Sequence, residues 1–218
     1  MRLIQEPFFF EMDRKEGERI MNKNKKTQKF VAIGMLSSIA YVLMMLNFPI
    51  PIFPSFLLID FSELPALIAA IVFGPLAGIA VEAIKNFLYY AVQGSMTGVP
   101  VGSLANFIAG VLYIVPVALM FRKFRNRKSI TLGLAVGTIL TSIVMSILNY
   151  YVILPAYTWF LQAPAMSDKM LYATVTTAIF PFNIVKGAIV GVLFGLMYAK
   201  MHTWIAKRSI HPSTSVSK

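Results

Sequence analysis

Residues 58–86 read LIDFSELPALIAAIVFGPLAGIAVEAIKN, and this stretch decides the fold. Its Asp60, Glu63, Glu82 and Lys85 are the only ionisable acids and bases between Phe30 and Phe121. A water-facing surface needs far more charge than that, so lipid is the better solvent for this part of the chain. The whole composition agrees, with 57% of the 218 residues hydrophobic and 13% charged, against about 25% charged in an ordinary soluble domain. The stretch also carries its own punctuation. Pro49-Ile50-Pro51-Ile52-Phe53-Pro54 in front of it cannot continue a helix. Ser62 is placed to cap a short helix from Glu63 to Phe73, which Gly74-Pro75 ends. A helix that short does not cross a bilayer, so the loop before it must dip into the protein.

Working outward, a first span is expected from Phe30 to about Phe48. The helix after Gly74-Pro75 runs from Leu76 to about Val92, and a fourth span runs from Val101 to Phe121. The fifth goes from Ile130 to Ile153 and is expected to stop at Pro155, with residues 155–180 as a connection. The sixth starts near Pro181, where proline suits a first helical turn, and ends near Met201. The expected fold is therefore an all-α membrane protein, a bundle of six transmembrane helices over residues 27–205. Tails at 1–26 and 206–218 flank it. Alternating the spans brings together the amino-terminal lysines (Lys23, Lys25, Lys26, Lys29), the loop Arg122–Lys128, and Lys200, Lys207 and Arg208. All three groups are basic, which assigns both termini to the cytoplasm and the chain to the cell membrane as a multi-pass protein. The net charge of +11 comes from these flanks, a membrane-surface pattern and not a nucleic-acid-binding one. Residues 1–20 hold five acids and four bases. They read as a cytoplasmic tail or as lying ahead of a start at Met21, with Met21 preferred.

Polar groups inside the spans carry the functional signal. Glu82, Lys85 and Asn86 share one face of the third helix, and Asn183 and Lys186 repeat the spacing on the sixth. Asn149 lies near the outer end of the fifth span and Asn106 one turn into the fourth. A charge near the bilayer centre costs at least about 2.5–3.5 kcal/mol, so such groups face a partner or a cavity. Two readings stand. Either Glu82 neutralises a lysine and the asparagines bond across helices, or these groups line a cavity open to the outside that takes a polar ligand. Tyr41, Phe53, Phe56, Phe61, Tyr89 and Tyr150 would give that cavity flat apolar walls. Small residues at four-residue spacing (Gly133 and Gly137; Gly187, Gly191 and Gly195; Gly74 and Gly78) suit close helix approach.

Several chemistries are excluded. No phosphate-binding loop of the G-x-x-x-x-G-K-[S/T] kind is present, and no serine sits in a G-x-S-x-G context. Neither His202 nor His211 lies in a span, cysteine is absent, and no second carboxylate accompanies Glu82 within one. A membrane-embedded enzyme would need more acids or histidines. A structural assembly subunit would not need the amides and lysines.

The runs Leu58–Leu67, Phe73–Gly78 and Val81–Asn86 resemble the substrate-binding S components of energy-coupling-factor (ECF) vitamin transporters. Phe182-Asn183-Ile184-Val185-Lys186-Gly187 is similar to the last helix of the riboflavin-specific member of that group. The resemblance covers residues 27–205. It implies a six-helix bundle that captures riboflavin outside, with a membrane coupling subunit and two cytoplasmic ATPases as partners and no cofactor of its own. It implies Asp60, Glu82, Lys85, Asn86, Asn149, Asn183 and Lys186 as binding residues, and a first loop, Pro49–Ser62, lying over the ligand. On the first helix it implies Ala32, Leu36 and Ala40 as the docking face for the coupling subunit. Thiamine or another vitamin is the alternative ligand.

Overall fold

The computed structural model describes residues 6–95 and 97–208, with side chains described for 26–95 and 97–201. The chain is a helical bundle. Helix α1 spans Glu6–Met45, and the loop after it forms a minimal hairpin in which β1 (Phe48–Pro49) pairs antiparallel with β2 (Leu58–Ile59). Then come α2 (Glu63–Phe73), α3 (Pro75–Gln93) and α4 (Val101–Phe124). Helix α2 has the expected bounds. Gly74 turns the chain sharply into α3 with φ of 98°, a backbone angle that glycine adopts without a Cβ clash.

The last two helices run further than their prolines suggest. Helix α5 (Arg127–Leu148) continues through a π-helical turn at Asn149–Ile153 into α6 (Leu154–Phe160). Helix α7 (Asp168–Thr174) passes through a second π turn at Val175–Ile179 into α8 (Phe180–Arg208). The fifth span therefore does not stop at Pro155, and the sixth does not begin at Pro181. Each proline follows a π turn by two residues, and the reason is steric. Proline lacks an N–H and presses on the carbonyl four residues back, Tyr151 or Thr177 here. A π turn widens the helix at that point, with Leu154 N–H donating to the Asn149 carbonyl and Phe180 N–H to that of Val175.

Among the described residues, Lys26–Met45, Val101–Phe124, Arg127–Phe160 and Asp168–Met201 are long and apolar enough to cross a membrane. The last two have 34 residues each, about 50 Å of helix against a hydrocarbon layer of about 30 Å. Helix α2 is a shorter apolar helix, and α3 carries the buried charges described below. The core joins Ala66, Leu67 and Ala70 of α2 to Val81, Ile114, Val117, Val190 and Phe194. Phe30, Ile39, Leu119, Ile139, Ile143 and Val192 face outward instead.

Glycines set the closest approaches. A methyl group at Gly137 would lie 2.5 Å from the Tyr113 carbonyl oxygen, and one at Gly133 2.7 Å from the Val117 Cα, so α5 rides directly on the α4 backbone. Gly187 meets the Thr138 side chain of α5 as closely, and Tyr113 donates its hydroxyl to the Gly187 carbonyl at 2.9 Å. One turn on, a methyl at Gly191 would lie 3.3 Å from that hydroxyl, and the seam ends there. Gly195, expected to extend it, has nothing within 4 Å of its Cβ position. Gly137→Ala should therefore lower the melting temperature of the detergent-solubilised protein, since overpacking against backbone costs about 1–3 kcal/mol. Gly195→Ala should leave it unchanged or slightly raised, and equal melting of the two variants would contradict the seam.

Candidate functional site

Four pieces of chain converge on one buried charge cluster. The loop brings Asp60, the start of α2 brings Ser62 and Glu63, α3 brings Glu82 and Lys85, and α8 brings Lys186. Helical spacing places Glu82, Lys85 and Asn86 on one face of α3, and they are 0%, 0% and 4% exposed. Lys85 Nζ lies 2.9 Å from Glu82 Oε1 and donates to Ser62 Oγ at 2.5 Å. The Ser62 hydroxyl in turn donates to Asp60 Oδ1, which also accepts the Ser62 backbone N–H at 2.9 Å. Lys186 Nζ sits between two carboxylates, 3.0 Å from Asp60 Oδ2 and 3.0 Å from Glu63 Oε1. Glu63 Oε1 is also 4.0 Å from Lys85 Nζ. Three carboxylates thus surround two ammonium groups in a single network that ties the loop to α2, α3 and α8.

Gly110 makes room for it. Any Cβ at that position on α4 would collide with the Glu82 carboxylate. Glu82 Oε2, Glu63 Oε2, Asn86 Oδ1 and, on α4, Asn106 Oδ1 are buried with no hydrogen-bond partner among the described residues.

Of the two readings open in the sequence, the ion pair is the one that these contacts realise. Glu82 does neutralise a lysine, but it has company, because Asp60 and Glu63 reach the same cluster from outside the span. Glu63 is not among the binding residues expected from the sequence. Its one signal there is its place at the first turn of a helix that an inward-dipping loop must precede. Ser62 holds the N-cap position of α2 but makes no side-chain capping bond, since its hydroxyl is engaged by Asp60 and Lys85. The asparagines of α3, the first π turn and α8 do not bond across helices through their amide N–H groups. Asn86 donates to the Glu82 carbonyl at 2.9 Å, Asn149 to Met145 at 2.7 Å and Asn183 to Ile179 at 2.8 Å, each four residues back. Asn149 opens the first π turn, and the carbonyl that Asn183 engages closes the second.

The loop closes over α8. Phe53 packs edge-on against Phe182, with ring centroids 5.5 Å apart, one residue before Asn183. Phe48 and Phe61 pack at 6.2 Å, Tyr150 stacks edgewise on Tyr151 at 4.8 Å, and Tyr89 meets the Asn47 amide at 3.3 Å. Phe56 is exposed, and Tyr41 half-buried. On α1, Ala40 is fully buried in the core and Leu36 packs against it. Ala32 is half-buried and borders an open groove with Thr27, Gln28, Val31 and Met35.

An apolar bundle that encloses such a charge cluster is that of a membrane-embedded protein. The family model described as ECF transporter, substrate-specific component matches residues 28–198, and the chain belongs to that family. It is 56% identical over 187 residues to the riboflavin transporter FmnP of Bacillus subtilis (strain 168), covering 85% of this chain and 98% of that one. It is 38% identical over 191 residues to the riboflavin transporter RibU of Staphylococcus aureus (strain TCH60), covering 88% and 98%. A solved structure described as the S component of a bacterial ECF transporter superposes with a TM-score of 0.71 at 39% identity, covering 83% of this chain and 98% of that one. Members of this family are transport components, not enzymes.

Breaking the cluster on one side should be costly. Lys85→Met leaves Glu82 buried without its cation, and losing one partner of a buried pair costs about 3–5 kcal/mol. The double variant Glu82→Gln/Lys85→Met should recover much of that loss in thermal unfolding of the solubilised protein. A double variant no more stable than Lys85→Met would show that the two charges do not act as a pair.

Proposed function

We propose that this protein is the riboflavin-binding subunit of an ECF-type importer. It captures the vitamin at the outer face of the cell membrane. A separate membrane coupling subunit and two ATPases then drive its delivery inward. The observation that carries this reading is Asn183 and Lys186, one turn apart on α8 beneath the loop, in a chain so similar to two riboflavin transporters. An isoalloxazine ring is a flat apolar plate with a hydrogen-bonding imide edge. An asparagine amide can donate to a ring carbonyl and accept from the imide N–H, and a lysine can reach a carbonyl or a ribityl hydroxyl. Asn149, Asn183 and Lys186 supply these groups. Asp60, Glu82 and Lys85 belong to the ion-pair network beside them, Asn86 stands next to it on α3 with its Oδ1 unpaired among the described residues, and the aromatic groups of the loop supply the apolar wall.

In the membrane, α2 with its preceding loop and α3 make the second and third of six crossings, within a domain over residues 27–205. The tails at 1–26 and 206–218 and the loop Arg122–Lys128 then lie in the cytoplasm, as their basic character favours. The coupling subunit docks on α1 where Ala32 borders the open groove, with Leu36 and Ala40 supporting that helix from within.

Riboflavin should quench its fluorescence on the purified protein. Asn183→Ala should weaken binding about fivefold to a hundredfold, since a buried group left unpaired costs about 1–3 kcal/mol. Unchanged affinity in Asn183→Ala, Lys186→Ala and Lys85→Ala together would remove the support for riboflavin, and tighter binding of thiamine would reassign the vitamin. For topology, a reporter inserted at Asn126 or fused after Lys218 should be active only in the cytoplasm. External accessibility at either position would rule out six crossings.

A further inference from the structure

Lys186 is held by two carboxylates that differ in kind. Asp60 lies at the inner end of the loop, 3.0 Å from Lys186 through Oδ2, while its Oδ1 accepts from Ser62, so a loop that lifts would strain or carry away that contact. Glu63, also at 3.0 Å, stands on the first turn of α2. The rest of that helix is locked in the core through Ala66, Leu67, Ala69 and Ala70, each no more than 2% exposed. An ammonium has three N–H donors. Asp60 and Glu63 use two, which leaves a third for a ligand without breaking either contact. Glu63 is 4% exposed and meets Lys85 as well, and its second oxygen has no hydrogen-bond partner among the described residues. A carboxylate is costly to bury in that state unless its charge is engaged.

We infer that Glu63 is a positioning residue for ligand capture, holding the Lys186 ammonium in place while the loop is open, with Asp60 completing the clamp when the loop closes. The inference rests on the reading of Lys186 as a riboflavin contact. Its physical content is preorganisation. Without Glu63, a lifted loop returns Lys186 to the full rotamer freedom of a long side chain, and each encounter with ligand must order it again. The two acids therefore govern different steps. Glu63 acts on association, before the loop closes, and Asp60 acts on release, when it must lift.

Stopped-flow quenching of riboflavin fluorescence on the purified full chain separates the two. Glu63→Gln should slow association about tenfold, the effect of weakening one charge-assisted hydrogen bond, with dissociation changed far less. Asp60→Asn should speed dissociation and leave association near that of the wild type. In a Lys186→Ala background, Glu63→Gln should slow association no further, which a merely structural role for Glu63 would not produce. Wild-type association in Glu63→Gln overturns the proposal, and so does an equal loss with and without Lys186. If Glu63→Gln does not purify, Glu63→Asp, which draws the charge back by one methylene, should give the same pattern, and wild-type association in it overturns the proposal equally. Wild-type protein that fails to quench riboflavin overturns the vitamin reading itself. A wild type that binds beside a Glu63 variant that binds as fast overturns only the role of Glu63.

Discussion

Two lysine ammonium groups in an apolar bundle have to be neutralised, and the way this chain does so organises everything around them. Lys85 is fully buried and Lys186 largely so. An isolated charge at such depth would cost several kcal/mol, so each lysine recruits carboxylates. The carboxylates come from different parts of the chain, with Asp60 from the loop, Glu63 from α2 and Glu82 from α3. Neutralising the lysines therefore fixes where the loop lies, how α2 enters the bundle and which face α3 turns inward. Gly110 on α4 belongs to the same constraint, because the Glu82 carboxylate occupies the space a side chain would need there.

The cluster also explains how a helix of 11 residues and a helix bearing two charges fit in such a bundle. Helix α2 is about 16 Å long, roughly half the hydrocarbon thickness. In front of it the inner end of the loop, at Ile59 and Asp60, is buried in the bundle. Loop backbone at that depth is tolerated where protein surrounds it and its polar groups find partners. Part of that need is met within the hairpin, by the pairing of Phe48 with Ile59 and Pro49 with Leu58. Asp60 and Ser62 meet more of it by bonding to each other and to the lysines.

Much of this was legible in the sequence, and the parts that were not share a cause. The approximate extent of Glu63–Phe73 was legible because Gly-Pro ends it by local chemistry, although Ser62 does not cap its start, its hydroxyl being taken by Asp60 and Lys85. That Glu82 and Lys85 share one face followed from their spacing on one helix, while their pairing stayed one of two open readings. Glu63 as a partner of Lys186 did not follow, since that contact depends on how α2 and α8 pack. The ends of the last two helices were misplaced because a proline usually stops a helix. Here π turns absorb both prolines, and whether a chain kinks or widens at proline depends on neighbours that sequence does not show. The asparagine bonds were unreadable for a related reason. An amide can bond across to a neighbour or back onto its own helix, and only the packing of Asn86, Asn149 and Asn183 decides which.

The bundle combines a seam held by shape with a loop whose polar contacts are ion pairs and hydrogen bonds. Along α4, α5 and α8 the contacts are close approaches at glycine, at Gly133, Gly137 and Gly187, and such packing has no second arrangement of similar energy. The loop is held by a mixture: the Asp60 contacts with Lys186 and Ser62, ring contacts such as Phe53 on Phe182, the buried side chain of Ile59, and Leu57 packed against Leu154, Val175 and Ile179. Ion pairs and one aromatic edge contact are interactions that water or a ligand can replace group for group, whereas interlocked backbone is not. A binding protein that must admit a molecule from outside and later release it needs one element that can be exchanged against a frame that cannot. Lys186 joins the two. It stands on α8 one turn beyond Phe182 and Asn183, immediately before Gly187 of the seam, and its ammonium bonds the loop through Asp60.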